Sequence, residues 1–185
     1  MPTTEEQLIA QGTWNVDPKH SSVEFQVKHM GIATVKGFFG DFEGTLEVGA
    51  TLGESKAYGK VVVDSITTRD EARDGHLKSG DFFDAETHTE MTFESTSITA
   101  GSDDDELTIE GDLTIKGVTK SIKLKATVDG ADTDPWGNER VGVEAKTTIV
   151  RSDYGMAFNQ ALGSGNLLVS DKVKIILSLS AVKAA

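Results

Sequence analysis

Along most of the chain apolar and polar residues alternate with a period of two, the pattern of strands that bury one face. In SSVEFQVKH, Val23, Phe25, Val27 and His29 share one face, while Ser22, Glu24, Gln26 and Lys28 share the other. LTIEGDLTIKG repeats the pattern, with Leu107, Ile109, Leu113 and Ile115 on one side. SIKLKATV aligns Ile122, Leu124, Ala126 and Val128, and DKVKIILSLS aligns Val173, Ile175, Leu177 and Leu179. VGVEAKTTIV continues the series, and YGKVVVDSI and MTFESTSIT are weaker members. Gly31, Gly37, Gly40 and Gly44 punctuate GIATVKGFFGDFEGTLEV. Glycine inside a strand marks a bend or a close approach, and repeated kinks let a long strand curl.

Only one segment, residues 69–78, reads as helical. Arg69/Arg73 and Asp70/Asp74 stand there at i,i+4 spacing. Gly75 and Gly80 keep the helix short, and Phe82 and Phe83 follow it as a plug between strands. A meander with one apolar face per strand closes as a sandwich or as a barrel. The curling glycines and the single plug favour an all-β, antiparallel barrel of about eight strands, whose bore admits one slender ligand. Residues 1–12 read as a loose N-terminal arm and 13–185 as a single barrel domain.

Composition narrows the partners. The net charge of -12 repels phosphate backbones and anionic membranes, which argues against nucleic acid. There is no cysteine, hence no disulfide, thiol nucleophile or thiolate metal site. The opening MPTTEEQLIAQGTW has neither a basic nor an apolar leader region. No run is long enough to span a bilayer, so no stable membrane insertion is expected and the expected compartment is the cytoplasm. The acidic run SDDDE reads as a solvated loop tip.

Candidate chemistry is sparse. His20, His29, His76 and His88 stand in no recognised metal spacing, so neither a metal nor another cofactor is expected. His29 is placed for an inward, hydrogen-bonded position beside Val27. No nucleophile-elbow serine, P-loop or G-x-G-x-x-G occurs. What remains is the Arg/Asp/His cluster in TTRDEARDGHLKSGDFFD. It reads either as a salt-bridged clasp joining helix to strands or as a polar rim gripping a ligand's head through arginine. Asp74 and His76 are its one acid/base pair, the basis of the alternative that the protein is an enzyme on a lipid-like substrate. A third alternative is a scaffold whose sealed barrel only presents loops.

WNVDPKHSSVEFQVKHMGIATVKGFFGDFEGTL, SITTRDEARDGHLKSGDFFDAETHTEMTFEST, GDLTIKGVTKSIKL and RSDYGMAF closely resemble the YceI-like, polyisoprenoid-binding family from about Trp14 to the final strand. The combination of D-P-x-H-S, R-D-x-H-L…D-F-F-D and L-T-I-x-G-V-T-K carries the resemblance. It implies an extended lipocalin-like barrel, paired as a homodimer, that is not an enzyme. It also implies a long-chain ligand inside, a polyisoprenoid or an isoprenoid quinone, with a fatty acid or fatty amide as the alternative. Many relatives carry a secretory leader, which is not expected for this chain from its opening residues, and Thr89 stands where relatives often have proline before the M-T-F strand. The residues expected to contact the ligand are Phe25, Val27, His29, Val35, Phe38, Phe42, Arg73, His76, Phe82, Phe83, Met91, Phe93, Met156 and Phe158. Val62 and Ile176, out of phase with their strands, are candidates for the outer surface of a dimer.

Overall fold

The alternating stretches become eleven strands of one antiparallel sheet that closes on itself in the computed structural model, which describes residues 7–185. They are β1 (Gly12–Val16), β2 (Ser22–His29), β3 (Ala33–Phe39), β4 (Phe42–Val48), β5 (Lys56–Val62) and β6 (Ile66–Thr67), then, after helix α1 (Glu71–Lys78), β7 (Glu90–Ala100), β8 (Glu106–Ile115), β9 (Val118–Thr133), β10 (Glu139–Val150) and β11 (Val169–Lys183). The long strands β7 to β11 pair in sequence order, as hairpin-connected neighbours do.

The first six strands are interrupted pieces of longer ones. β1 and β2 both lie antiparallel to β11, one after the other along its length. β4 pairs with β1 and β3 with β2. In the next strand β5 pairs with β4 and β6 with β3. Counting these composites as single strands, and β6 as the tip of β5, gives a closed eight-stranded barrel. The three breaks fall side by side, so the wall bends along one crease. Main-chain bonds stitch it: Gly40 N–H donates to Ser65 O at 3.1 Å and Val62 N–H to Asp41 O at 2.9 Å. The glycine-rich stretch is therefore one long strand kinked at Gly40–Asp41, as its composition implies.

Closure occurs where β1 meets β11, over Trp14↔Lys183, Asn15↔Val182 and Val16↔Ala181. Just beyond, Asp17 caps the 3-10 turn Pro18–His20 by accepting from Lys19 N–H, and its other oxygen meets His20 Nδ1 at 2.8 Å. Arg140 on β10 ties this elbow down, donating from Nη1 to Asp17 Oδ2 (2.9 Å) and from Nε to Asp134 Oδ2 (2.8 Å). The D-P-x-H-S stretch is thus an elbow between two strands that follow one another along β11.

Two apolar clusters fill the ends. One gathers Ile9, Trp14, Val48, Ile98 and Leu107 with inward residues of β9 to β11. The other packs Phe39, Val63, Ile66, Met91 and Ile115 against Tyr154 and Met156, with Leu77 and Phe83 from the α1 plug. Of the residues read as a loose arm, 1–6 lie outside those described. Ile9 is buried in the core, and Gly12 already belongs to β1. The helix begins two residues later than expected, because Arg69 has φ 66° and Asp70 caps the first turn by accepting from Arg73 N–H. Val62 and Ile176 are each half-buried within the single chain.

His20 and Arg140 hold the Asp17 carboxyl down to about 2, and Arg140 holds Asp134 down to about 2. Both values lie below the ~3.9 of an unfolded aspartate, so both carboxylates stabilise the fold above that pH and stop doing so as pH falls toward 2. Thermal melts should show Tm flat from neutral pH to about 5 and falling between about 4 and 2. In Arg140→Met the drop across that window should be shallower; an undiminished drop would assign acid sensitivity elsewhere.

Candidate binding cavity

Alternation in a closed barrel sends every second side chain into the bore. Here that interior is not filled. A cavity of about 290 Å³ runs between the two apolar clusters, at the lower end of the range of small-molecule sites. Its wall is aliphatic and aromatic, drawn from Val23 and Phe25 on β2, Phe42 and Leu46 on β4, and Ile175 and Leu177 on β11, among others. Ile9, Trp14 and Leu107 close one end behind it. Leu77, Phe82 and Phe83 from α1 and the following loop close the other.

Of the residues expected to contact a ligand, Phe25, Val27, Phe42, Met91, Phe82, Phe83, Phe93 and Met156 line the cavity. The other six expected contacts do not. In the Phe38–Phe39 doublet the inward ring is Phe39, 5% exposed and on the cavity wall, while Phe38 faces the other way. The phase follows from the register, since Phe25 pairs with Gly37 and Phe39 is two residues on. Val35 shares the inward face but is not part of the lining. His29 is exposed at the end of β2, where the strand's inner side has already passed beyond the core, so the inward histidine is corrected. Phe158 and His76 stand behind Phe82, their ring centroids 5.4 and 5.1 Å from it and 4.8 Å from each other.

The Arg/Asp/His cluster divides in two. Asp74 Oδ1 accepts from Thr68 N–H (2.8 Å) and Thr68 Oγ1 (2.6 Å). Arg73 donates from Nε to Thr68 Oγ1 and from Nη2 to Thr68 O. Both therefore clasp the loop after β6 rather than reaching the cavity. His76 Nε2 instead meets Asp81 Oδ2 at 2.8 Å. Asp74 and His76 serve different partners, so the acid/base pair considered above is not assembled.

The charged side chain buried at the cavity is Arg151, which sequence reasoning did not single out. It is 4% exposed and part of the lining. Its guanidinium donates to three main-chain carbonyls: Met156 O (2.7 Å), Ser170 O (2.9 Å) and Val169 O (3.2 Å). Burial pulls its pKa down and Asp171 opposes this. Its carbon Cζ lies 5.8 Å from the Phe82 ring centre, within cation–π range. The signal available was an arginine directly after the β-branched run TTIV, at a strand end. The neighbouring Tyr154 hydroxyl is buried without a hydrogen-bond partner among the described residues.

Comparison with known proteins bears on this geometry. The YceI-like domain matches residues 14–181. The chain belongs to the YceI-like family. A UPF0312 protein of Staphylococcus aureus (strain N315) is 41% identical over 163 residues, covering 85% of this chain and 90% of that protein. The Campylobacter jejuni YCEI protein, 28% identical, superimposes with a TM-score of 0.72 over 85% of this chain and 90% of that one. Burkholderia cenocepacia BcnA, 23% identical, shares the fold with a TM-score of 0.77 over 89% of this chain and 98% of its own. So does a polyisoprenoid binding domain from Saccharophagus degradans, 16% identical, at 0.69 over 95% and 100%.

The motifs that carry the YceI-like resemblance are structural here. L-T-I-x-G-V-T-K forms the β8–β9 hairpin, where Lys116 (φ 52°) and Gly117 (φ 76°) make the two-residue turn. Lys116 Nζ then reaches Gly80 O at 2.9 Å and fastens the plug. R-D-x-H-L…D-F-F-D is the plug itself. Asp74→Ala leaves the Thr68 N–H and hydroxyl without their acceptor, a loss of about 2 kcal/mol. Calorimetry should show a lowered Tm with apolar-probe affinity unchanged. A drop in affinity at constant Tm would return the cluster to the binding site.

Proposed function

We propose that this YceI-like chain encloses a long apolar molecule, a polyisoprenoid or an isoprenoid quinone, and sequesters or carries it rather than transforming it. The observation that carries the reading is the apolar cavity along the barrel, lined by Phe, Met and branched aliphatic side chains and lacking an assembled acid/base pair among the described residues. The fold shared with a polyisoprenoid binding domain supports it. A fatty acid or fatty amide is the second reading, favoured by the same lining. Affinity in such a bore comes from removing ligand carbons from water. At about 0.3 kcal/mol per heavy atom, each five-carbon unit enclosed adds roughly 1.5 kcal/mol, about tenfold in Kd.

Mass spectrometry of an organic extract of the purified protein should return a stoichiometric apolar molecule. Titration with prenyl alcohols of increasing length should then show about tenfold tighter binding per five-carbon unit until the bore is full, followed by a plateau. Val143→Trp, which places an indole in the cavity, should abolish that binding while Tm holds. An unchanged length series in a folded Val143→Trp protein would place the ligand elsewhere.

The same reading includes a homodimer, with Val62 and Ile176 on strands whose outer faces are available to a second copy. Light scattering at micromolar concentration should give twice the chain mass. A monomer mass, unchanged by ligand, would remove the dimer and leave the carrier reading intact.

A further inference from the structure

At one end of the barrel two fingers extend past the core. The first is the β2–β3 hairpin, which turns through Met30, Gly31 and Ile32. The second is residues 159–168 between β10 and β11, closed by Leu168 N–H to Gln160 O (2.9 Å) and Leu162 N–H to Asn166 O (2.8 Å). They stand side by side: Met30 N–H donates to Leu168 O at 2.8 Å, and Asn166 Nδ2 to Met30 O at 3.4 Å. Their tips carry Ile32, 77% exposed, Leu167, 49%, and Met30, 37%. These are three of the six large hydrophobic side chains exposed among the described residues, so apolar surface is gathered here rather than scattered.

Charge is distributed to match. No acidic residue occurs between Glu24 and Asp41, and no charged residue between Asp153 and Asp171. Exposed Lys28, Lys36, Lys172 and Lys174 stand on the strands that lead into the fingers. None of the four has an acidic partner among the described residues, whereas Lys56, Lys60, Lys123, Lys125 and Lys146 each have one. Of the acids at this end, Asp74 is taken by Thr68, Asp81 by His76 and Asp171 by Ser152. Glu71, Asp84, Glu86 and Asp153 are left over, so the lysines steer and the apolar tips anchor. The far end collects negative charge in the SDDDE run between β7 and β8 and in Asp129, Asp132 and Asp134 beside the β9–β10 turn. β11 covers that distance with 15 residues at about 3.3 Å each, several Debye lengths of about 8 Å. The net charge of -12 therefore does not decide what the fingers meet.

We propose that the two fingers seat the protein on a bilayer containing anionic lipid, with Ile32, Leu167 and Met30 at the boundary of headgroups and acyl chains and the lysines against lipid phosphates. The docking is peripheral, made by turns at the rim of a closed sheet. It also places the cavity. Val27, at the base of the first finger, and Val169, directly after the second, both line it. Phe158, one residue before the second finger, packs on Phe82 and His76 of the plug, at 5.4 and 4.8 Å between ring centres. A docked protein holds its plug at the lipid surface, where an apolar cargo passes between bilayer and bore without crossing water. That role rests on the carrier reading; the docking itself does not.

Cosedimentation with phosphatidylcholine vesicles, with and without about one third phosphatidylglycerol, tests the seat. The native protein should bind the anionic vesicles about tenfold more tightly than the neutral ones and lose that margin in high salt. Ile32→Ser combined with Leu167→Ser, both at exposed turns, should weaken binding to the anionic vesicles about tenfold. Tm and uptake of a fluorescent apolar probe from solution should hold in that variant. Lys28→Gln combined with Lys172→Gln should remove the preference for anionic vesicles. Trp136→Ser, at a side chain 82% exposed beside the acidic end, should change nothing. No binding by the native protein, native-like binding by the double serine variant, or loss of binding in Trp136→Ser would overturn the docking and leave the carrier standing. A native dimer that ignores vesicles and falls to monomer mass in the double serine variant would overturn it too, giving the fingers to a second copy. Vesicle binding without any uptake of the probe would remove the carrier role and leave the docking.

Discussion

The barrel depends on a short seam. Strands β10 and β11 pair without interruption from Arg140↔Val182 to Val150↔Lys172, but the closing contact of β1 with β11 is three residue pairs long. Arg140 reinforces it from the side, one guanidinium holding the Asp17 elbow and the Asp134 turn together. Because Asp17 is fixed, the chain leaves β1 and re-enters the sheet as β2 on the same edge of β11. That step puts Val23, Phe25 and Val27 into the bore opposite the residues of β7 and β8. An ion pair of this kind contributes modestly to stability by itself; here it ties the elbow between β1 and β2 to β10 and to the Asp134 turn.

Once the seam is closed, the interior follows from strand phase. Alternation was legible in the sequence because each strand has a solvated outer face carrying Lys, Glu and Thr, so the inward set of β2, β8, β9 and β11 could be read off directly. The short helical plug was legible from the i,i+4 pairs Arg69/Arg73 and Asp70/Asp74 and from Gly80 beyond its end, although Gly75, read as a limit, lies inside the helix. Phase failed where the sequence offers two equivalent residues, as in Phe38–Phe39, and where a strand outruns the core, as at His29. Arg151 was missed for a different reason: its partners are main-chain carbonyls of Met156, Val169 and Ser170, and contacts of that kind leave no mark in residue types. Nor does spacing show that Arg73 and Asp74 turn to Thr68 while His76 turns to Asp81.

The cavity separates affinity from selectivity. A lining of this character gains binding energy from any hydrocarbon in proportion to the area covered, so chain length governs strength. Discrimination between chains of one length has to come from shape, through side chains such as Phe39 and Met91 that set the contour of the wall. The buried arginine does not contradict this division, since its recorded hydrogen bonds go to the protein's own backbone.

The crease running through three neighbouring strands has a mechanical consequence. An unbroken β-sheet resists bending across its strands because every ladder bond must strain together. Here the bending is already localised at residues 17–21, 40–41 and 63–65, where hydrogen bonds such as Gly40 to Ser65 and Ser180 N to Ser21 Oγ hold turns rather than ladders. The strands β8 to β11 run unbroken at that level, although β9 and β10 shift register at Gly142/Val143, beside Ser180. The corner of the barrel is therefore made by turns on one side, and a shape the ladder alone would not adopt is set by a handful of main-chain and hydroxyl bonds.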